Sequence, residues 1–418
     1  MKLRFLIFYL ILLTWQSQSF CQNANAKKWK EDLQYLSSKL KDEHKNLYHT
    51  VSEQDFHKAV EALDKKIPGL SDEEIIIELA RIVAMVGDGH TELFLVQSPI
   101  HFHRFPLVFY FYGDSLYVSA STSDYTDAVG KRVVKINNTP IEKAFDMVKP
   151  LISHDNDMEY RHSGTEYLAI PEILNALKIT DNDETATFTL ESPDGKIVTT
   201  EVQAAERNKL RDWKSYLTLN GIEPALYLQN FNEYYWYKYL SDSKTLFLEY
   251  NRCKDQDGKE SIEDFADEVF EFADKNPVDR FVVDLRNNPG GNMKLNEPIV
   301  EGISERKSIN QKGKLFVITG RRTFSAALNA AINLKKNTKA IFVGETPRGK
   351  PNWYGEVDDF ELPNSEIKVD YSTEFYNPIP ELGDTDYFPV DIKVENTFKD
   401  YMEGKDEALE AILAYPGN

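Results

Sequence analysis

Short apolar runs separated by helical patterns in the second half of the chain constrain its fold more than any other feature. Arg280–Leu285, Lys314–Ile318 and Ala340–Val343 read as buried strands. The last two are joined by a helix that begins near Ser325 and runs through Ala330, Ile332 and Leu334. An earlier strand, Thr245–Tyr250, leads to a helix capped by Ser261 with Asp264, carrying Ile262, Phe265, Ala266, Val269, Phe270 and Ala273 on one face. Strand–helix–strand connections of this length imply parallel pairing and right-handed crossovers. Residues 206–418 therefore predict an α/β core, with a terminal β hairpin from Phe360–Leu362 and Ile367–Tyr371 around Pro363-Asn364-Ser365.

The first half is organised differently, and 418 residues are enough for two or three domains. Lys2 and Arg4 precede an apolar stretch, Phe5 to Trp15, with the length of a secretory h-region. Residues 1–21 are expected to be a signal peptide cut between Cys21 and Gln22, with lipid attachment at Cys21 as the other outcome, so the protein is expected to be exported to the periplasm or cell envelope. Residues 22–100 form a helical region: Trp29, Leu33, Leu36 and Leu40 recur at helical steps, Ser52 opens a second helix, and Ser71 with Glu74 makes a capping box for a third. Residues 101–205 turn to β-like runs at Leu107–Tyr112, Leu116–Ser119, Arg132–Ile136 and Ala186–Leu190. Their Gly130–Glu142 string, a strand leading through a turn to a helix, resembles a segment of PDZ domains.

The formal net charge of −19 argues against nucleic acid and anionic membrane surfaces as partners. After removal of the leader only Cys253 remains, so no intrachain disulfide is expected. Cys253 lies in a polar stretch with no helix start beside it to lower its pKa, which argues against a thiol mechanism. His101 and His103 share a strand face, but no third ligand is evident, so no metal or cofactor is expected.

Chemistry collects beyond the carboxyl ends of the three predicted strands, where ligands bind in open α/β sheets. The loops there are Arg286-Asn287-Asn288-Pro289-Gly290-Gly291, then Thr319–Ala327, then Gly344–Pro351. Ser325 sits at a strand-to-helix turn. Such a serine is ordinarily an N-cap, yet the helix start also aims the Ala326 amide at a developing oxyanion. Gly290 and Gly291 can bring a further bare amide close. A serine nucleophile needs a base. All eight histidines precede Ser163, so a base from the same domain would have to be Lys350, made neutral by burial.

These residues resemble those of the C-terminal processing (tail-specific) and tricorn-type serine peptidases. Asp284–Gly291 is similar to the family's glycine loop, Thr323–Ala327 to its nucleophile segment, and Gly344–Lys350 to its lysine loop. The tail-processing members carry a glutamine four residues past the lysine, where this chain has Tyr354. Val86–Thr91 resembles the Asp-x-His-Thr/Ser motif of the wider clan, whose tricorn branch uses that histidine as the base. The resemblance thus implies an acyl-enzyme on Ser325 with His90 or Lys350 as base, Glu356 as an orienting carboxylate, and an oxyanion hole from Gly290, Gly291 and Ala326. Its implied substrates are peptides or unfolded protein tails, presented by the PDZ-like insert. Two other readings stay open: an inactive peptide-binding protein on the same fold, which Tyr354 favours, and a hydrolase of small esters.

Overall fold

The computed structural model describes residues 25–416; the leader segment and Cys21 lie outside them. Three helices open the described chain: α1 (residues 25–43), α2 (Glu53–Lys66) and α3 (Asp72–Ala84). Their starts follow the expected chemistry. The Ser52 hydroxyl accepts from the Asp55 amide, and Ser71 and Glu74 close a reciprocal capping box. Trp29, Leu33, Leu36 and Leu40 face inward.

An antiparallel sheet follows, built from β1 (Leu107–Tyr112), β2 (Ser115–Ser121), β3 (Arg132–Ile136), β4 (Thr185–Glu191) and β5 (Ile197–Gln203), with shorter strands at its margins. Between β3 and β4 lies α4 (Asp157–Tyr167). The apolar side chains of the three helices and of this sheet form one continuous core.

The second half is a six-stranded sheet of β6 (Tyr235–Leu240), β7 (Thr245–Tyr250), β8 (Arg280–Asp284), β9 (Leu315–Thr319), β10 (Ile341–Gly344) and, after the β11 (Trp353–Glu361) and β12 (Lys368–Tyr376) hairpin, β13 (Ile392–Lys393). β6 runs antiparallel to β7; the other pairs are parallel. Successive residues of the parallel strands pack on opposite faces, which is why these runs are apolar throughout. Phe281, Val283, Leu315 and Val317 meet α5 (Ile262–Lys275) and α6 (Ala326–Asn337). Val282, Phe316 and Ile341 meet α7 (Glu407–Ala414) on the other side.

The expected hairpin is present but longer, with nine residues in each strand. It also leaves the core sheet. β12 pairs with Glu92–Leu93, and Phe360, Leu362, Ile367 and Val369 are buried with the helical region. The register Asp284 to Ile318 to Val343 brings the three sequence-marked loops to one sheet edge.

Candidate active site

Ser325 opens α6, yet its hydroxyl caps nothing, so the ordinary helix-capping role is vacant. Its backbone is in an unusual region, φ 51° and ψ −123°, a conformation that costs a non-glycine residue about 1–3 kcal/mol and persists only where its surroundings impose it. Those surroundings are visible. The Thr323 hydroxyl donates to the Leu285 carbonyl at 2.7 Å and accepts from the Gly320 amide at 3.0 Å. The Phe324 amide donates to the Asn288 carbonyl at 3.1 Å, and Asn296 donates to the Ala326 carbonyl at 2.8 Å. The serine is thus fastened on both sides.

The glycine loop lies directly against it. A Cβ on Gly290 would stand 2.8 Å from the Ser325 Cβ and 3.0 Å from the Ala326 nitrogen, at a φ of +110° that disfavours side chains. A Cβ on Gly291 would meet the Cys253 carbonyl oxygen at 2.3 Å, with φ +137°. Only glycine fits either place. Asn288 sets the loop's shape by donating to the Tyr250 carbonyl at 2.8 Å while its Oδ1 accepts from the Gly290 amide at 2.8 Å. The Gly290 amide is therefore already engaged, which corrects the expectation that it serves an oxyanion. The amides of Gly291 and Ala326 make no hydrogen bond among the described residues.

His90 reaches this site from the helical region. Its ring stacks on Phe324, the residue before Ser325, with centroids 4.4 Å apart. Its loop is pinned by the buried Asp88 carboxylate, which accepts from the His90 amide at 2.9 Å and the Thr91 amide at 2.8 Å and is held by His44 at 2.9 Å. Burial, reinforced by Arg348, pushes the His90 imidazole down to about 4 against the pull of Asp88. The ring is neutral at pH 7. Its Nδ1 is buried without a partner, and no hydrogen bond joins the ring to Ser325.

Lys350 does not meet the condition set for it. Burial opposes its charge, but Asp386 at 2.8 Å and Asp384 at 3.6 Å outweigh that and raise its pKa, so it remains an ammonium. Glu356 is likewise not brought to His90. It is an exposed residue of β11 with φ 53°, and its carboxylate accepts from the Tyr376 hydroxyl at 2.6 Å. The Tyr354 ring packs against His49 in a tilted arrangement, centroids 4.2 Å apart. Cys253 proves buried rather than surface-lying, and burial pushes its thiol up to about 12, so it is no nucleophile. Among the described residues no group of three or more His, Cys, Asp or Glu is placed to hold a metal ion.

Sequence reasoning missed two residues that join the halves of the site. Asp155 accepts from the Gly89 amide at 2.8 Å and from the Lys350 amide at 3.4 Å. Asn156 donates to the carbonyls of Pro347, Gly349 and Asp386. An N-cap asparagine before α4 was the only local signal, and it says nothing of a partner some 190 residues further along.

Residues 244–372 match the model of peptidase family S41, a stretch that contains the glycine loop, Ser325 and Lys350. Among solved structures the chain is similar to mature CPAF complexed with lactacystin, at 13% identity over 93% of this chain and 98% of that one, TM-score 0.66. It is similar also to mature CPAF alone, at 13% identity over 94% and 99%, TM-score 0.66. At such identity the likeness is one of fold. A search of the curated proteins found no match. Over residues 244–372, the stretch that holds the glycine loop and Ser325, the chain is thus similar to the S41 peptidases, and it shares its fold with CPAF over nearly its whole length.

Proposed function

We propose that the protein is an exported endopeptidase that cleaves peptides or unfolded protein tails through an acyl-enzyme on Ser325, with His90 as the general base. The observation that carries this reading is the strained serine at the head of α6, its hydroxyl unspent and the double-glycine turn packed against it. In the acylation step the Ser325 oxygen attacks the scissile carbonyl carbon while its proton passes to neutral His90. The carbonyl oxygen, now an anion, receives the free amides of Ala326 and Gly291, donors that each contribute about 3 kcal/mol in acyl transfer. His90 then returns the proton to the departing amine, and water repeats the sequence on the ester.

The Lys350 ammonium speaks against its serving as base and for its holding the lysine loop against Asp384 and Asp386. His90 must move from its stack on Phe324 toward the serine, a tightening common when substrate enters an empty site. Export rests on the apolar leader; no helix among the described residues is long and apolar enough to cross a membrane.

The experiment is turnover of an unstructured protein. Wild type is expected to cleave it, Ser325→Ala to leave it intact with an unchanged circular dichroism spectrum. Undiminished cleavage by Ser325→Ala contradicts the proposal. A second reading, binding without turnover, is favoured by one observation: no carboxylate is hydrogen-bonded to the His90 ring to orient it as a catalytic imidazole. Tight peptide binding by wild type with no product would establish it.

A further inference from the structure

One cleft beside the nucleophile loop takes no part in the chemistry above. Tyr110, Tyr112, Tyr227, Phe231 and Arg322 line it at the carboxyl ends of β9 and β10, and its volume is about 240 Å³. Two other arginines on its wall are saturated. Arg286 spans Asp284 and Asp406, and Arg321 pairs with Glu345 and donates to the Phe111 carbonyl at 2.8 Å.

Arg322 differs. It makes no ion pair and no side-chain hydrogen bond among the described residues, and its Nε is buried without a partner. Its guanidinium lies over the face of Phe231, 5.0 Å from the ring centre, and that ring is itself 46% exposed. Burial pushes its pKa down, and the charges of Arg348 and Arg252 add to the push, so the group sits in a positive field within a chain of net charge −19. A largely buried cation with no carboxylate partner among the described residues is costly to hold and complementary to a carboxylate that arrives from outside. The tyrosine side chains that line the cleft lower its polarity and strengthen such a pairing. Arg322 lies three positions before Ser325, a span of at most about 11 Å, so an extended substrate reaches it within about three residues of the bond cleaved.

We propose that this cleft is a substrate subsite for an acidic side chain, aspartate or glutamate, gripped by the Arg322 guanidinium. The inference rests on Ser325 being the nucleophile, since that fixes where the substrate lies.

Two measurements test it separately from the chemistry. In the first, fluorescent peptides carrying Glu or Gln at each of the three positions on either side of one bond are cleaved by wild type. A preference of about tenfold or more for Glu at one position is expected, and Arg322→Gln should bring that Glu-to-Gln ratio close to one, with Phe231→Ala lowering it in part. The second uses Ser325→Ala protein, which needs no turnover: the same Glu peptide should bind about tenfold tighter than its Gln partner, and the double variant with Arg322→Gln should lose the difference. Equal affinity for the two peptides overturns the subsite even if the enzyme is active, and a preference that survives Arg322→Gln overturns the assignment to Arg322. Loss of cleavage with the binding preference intact would remove the peptidase reading while leaving the acidic cleft standing.

Discussion

His90 and Lys350 differ in charge at neutral pH, and that difference is measurable. With the imidazole held near 4 by burial, His90 stays a proton acceptor well below the range of a free histidine. The acid limb of kcat/KM is therefore expected clearly below pH 6.5, toward about 4. Dependence on neutral Lys350, whose pKa lies above 10.5, would instead make activity climb through alkaline pH. Substitution should agree: His90→Ala is expected to lose about 10²- to 10⁴-fold in kcat, and Lys350→Met less than tenfold. Gly290→Ala should abolish turnover, because the added Cβ meets the Ser325 Cβ at 2.8 Å. Ser325, Ala326 and both glycines stood out in the sequence because small residues at a strand end leave few structural uses, but nothing there showed that Asn288 would engage the Gly290 amide. Glu356 misled because its side chain direction depends on a positive φ of 53°, which no residue pattern announces.

At the scale of elements, α4 and the segment before it act as the clasp between the His90 loop and the lysine loop. Asp155 is buried there, facing the charges of Asp88 and Glu159 and the amides of Gly89 and Lys350. Burial, then the Asp88 charge, pushes its pKa up to about 7. The native state thus keeps a proton that the unfolded chain has lost, so this stabilisation is full below about pH 4 and vanishes as pH rises through 7. The slope approaches about 1.4 kcal/mol per pH unit in that window. Asp155→Asn keeps an acceptor for Gly89 and removes the titration, so its urea-unfolding stability should be flatter between pH 5 and 7.5; a wild-type slope in the variant would refute this. Strands β7 to β10 were readable to within a residue or so, since burial on both faces makes them mostly apolar, whereas the short, partly exposed β13 was not. β6 was not either, because only Tyr235 is buried while the rest is half-buried or exposed with no two-residue alternation. Nor was α4, which is held by polar contacts such as Arg348 to Glu159 at 2.5 Å rather than by an apolar stripe.

For the whole molecule, the site depends on segments far apart in the chain being held against one sheet edge. Buried Arg286 fastens the glycine loop to the last helix, reaching Asp406 through two bonds of 2.8 and 2.9 Å and Asp284 at 2.7 Å. Removing Asp406 leaves two buried guanidinium N–H groups without an acceptor and strips α7 of its N-cap, so Asp406→Ala should cost about 3–5 kcal/mol in denaturant unfolding. The β11–β12 hairpin ties the other side, through the Lys45 amide to the Ser372 carbonyl at 2.8 Å and the Ser372 hydroxyl to Asp88 at 2.9 Å. That long-range docking was illegible in sequence, where the hairpin reads simply as the end of the α/β core. The joint it makes is what lets a histidine from the helical region approach a serine on the core helix. The most direct measurement of that account is covalent: react the protein with a fluorophosphonate and map the adduct by mass spectrometry of its peptides. A single adduct is expected on the peptide containing Ser325, lost in Ser325→Ala and weakened in His90→Ala. An adduct on another residue, or none on active protein, would contradict it.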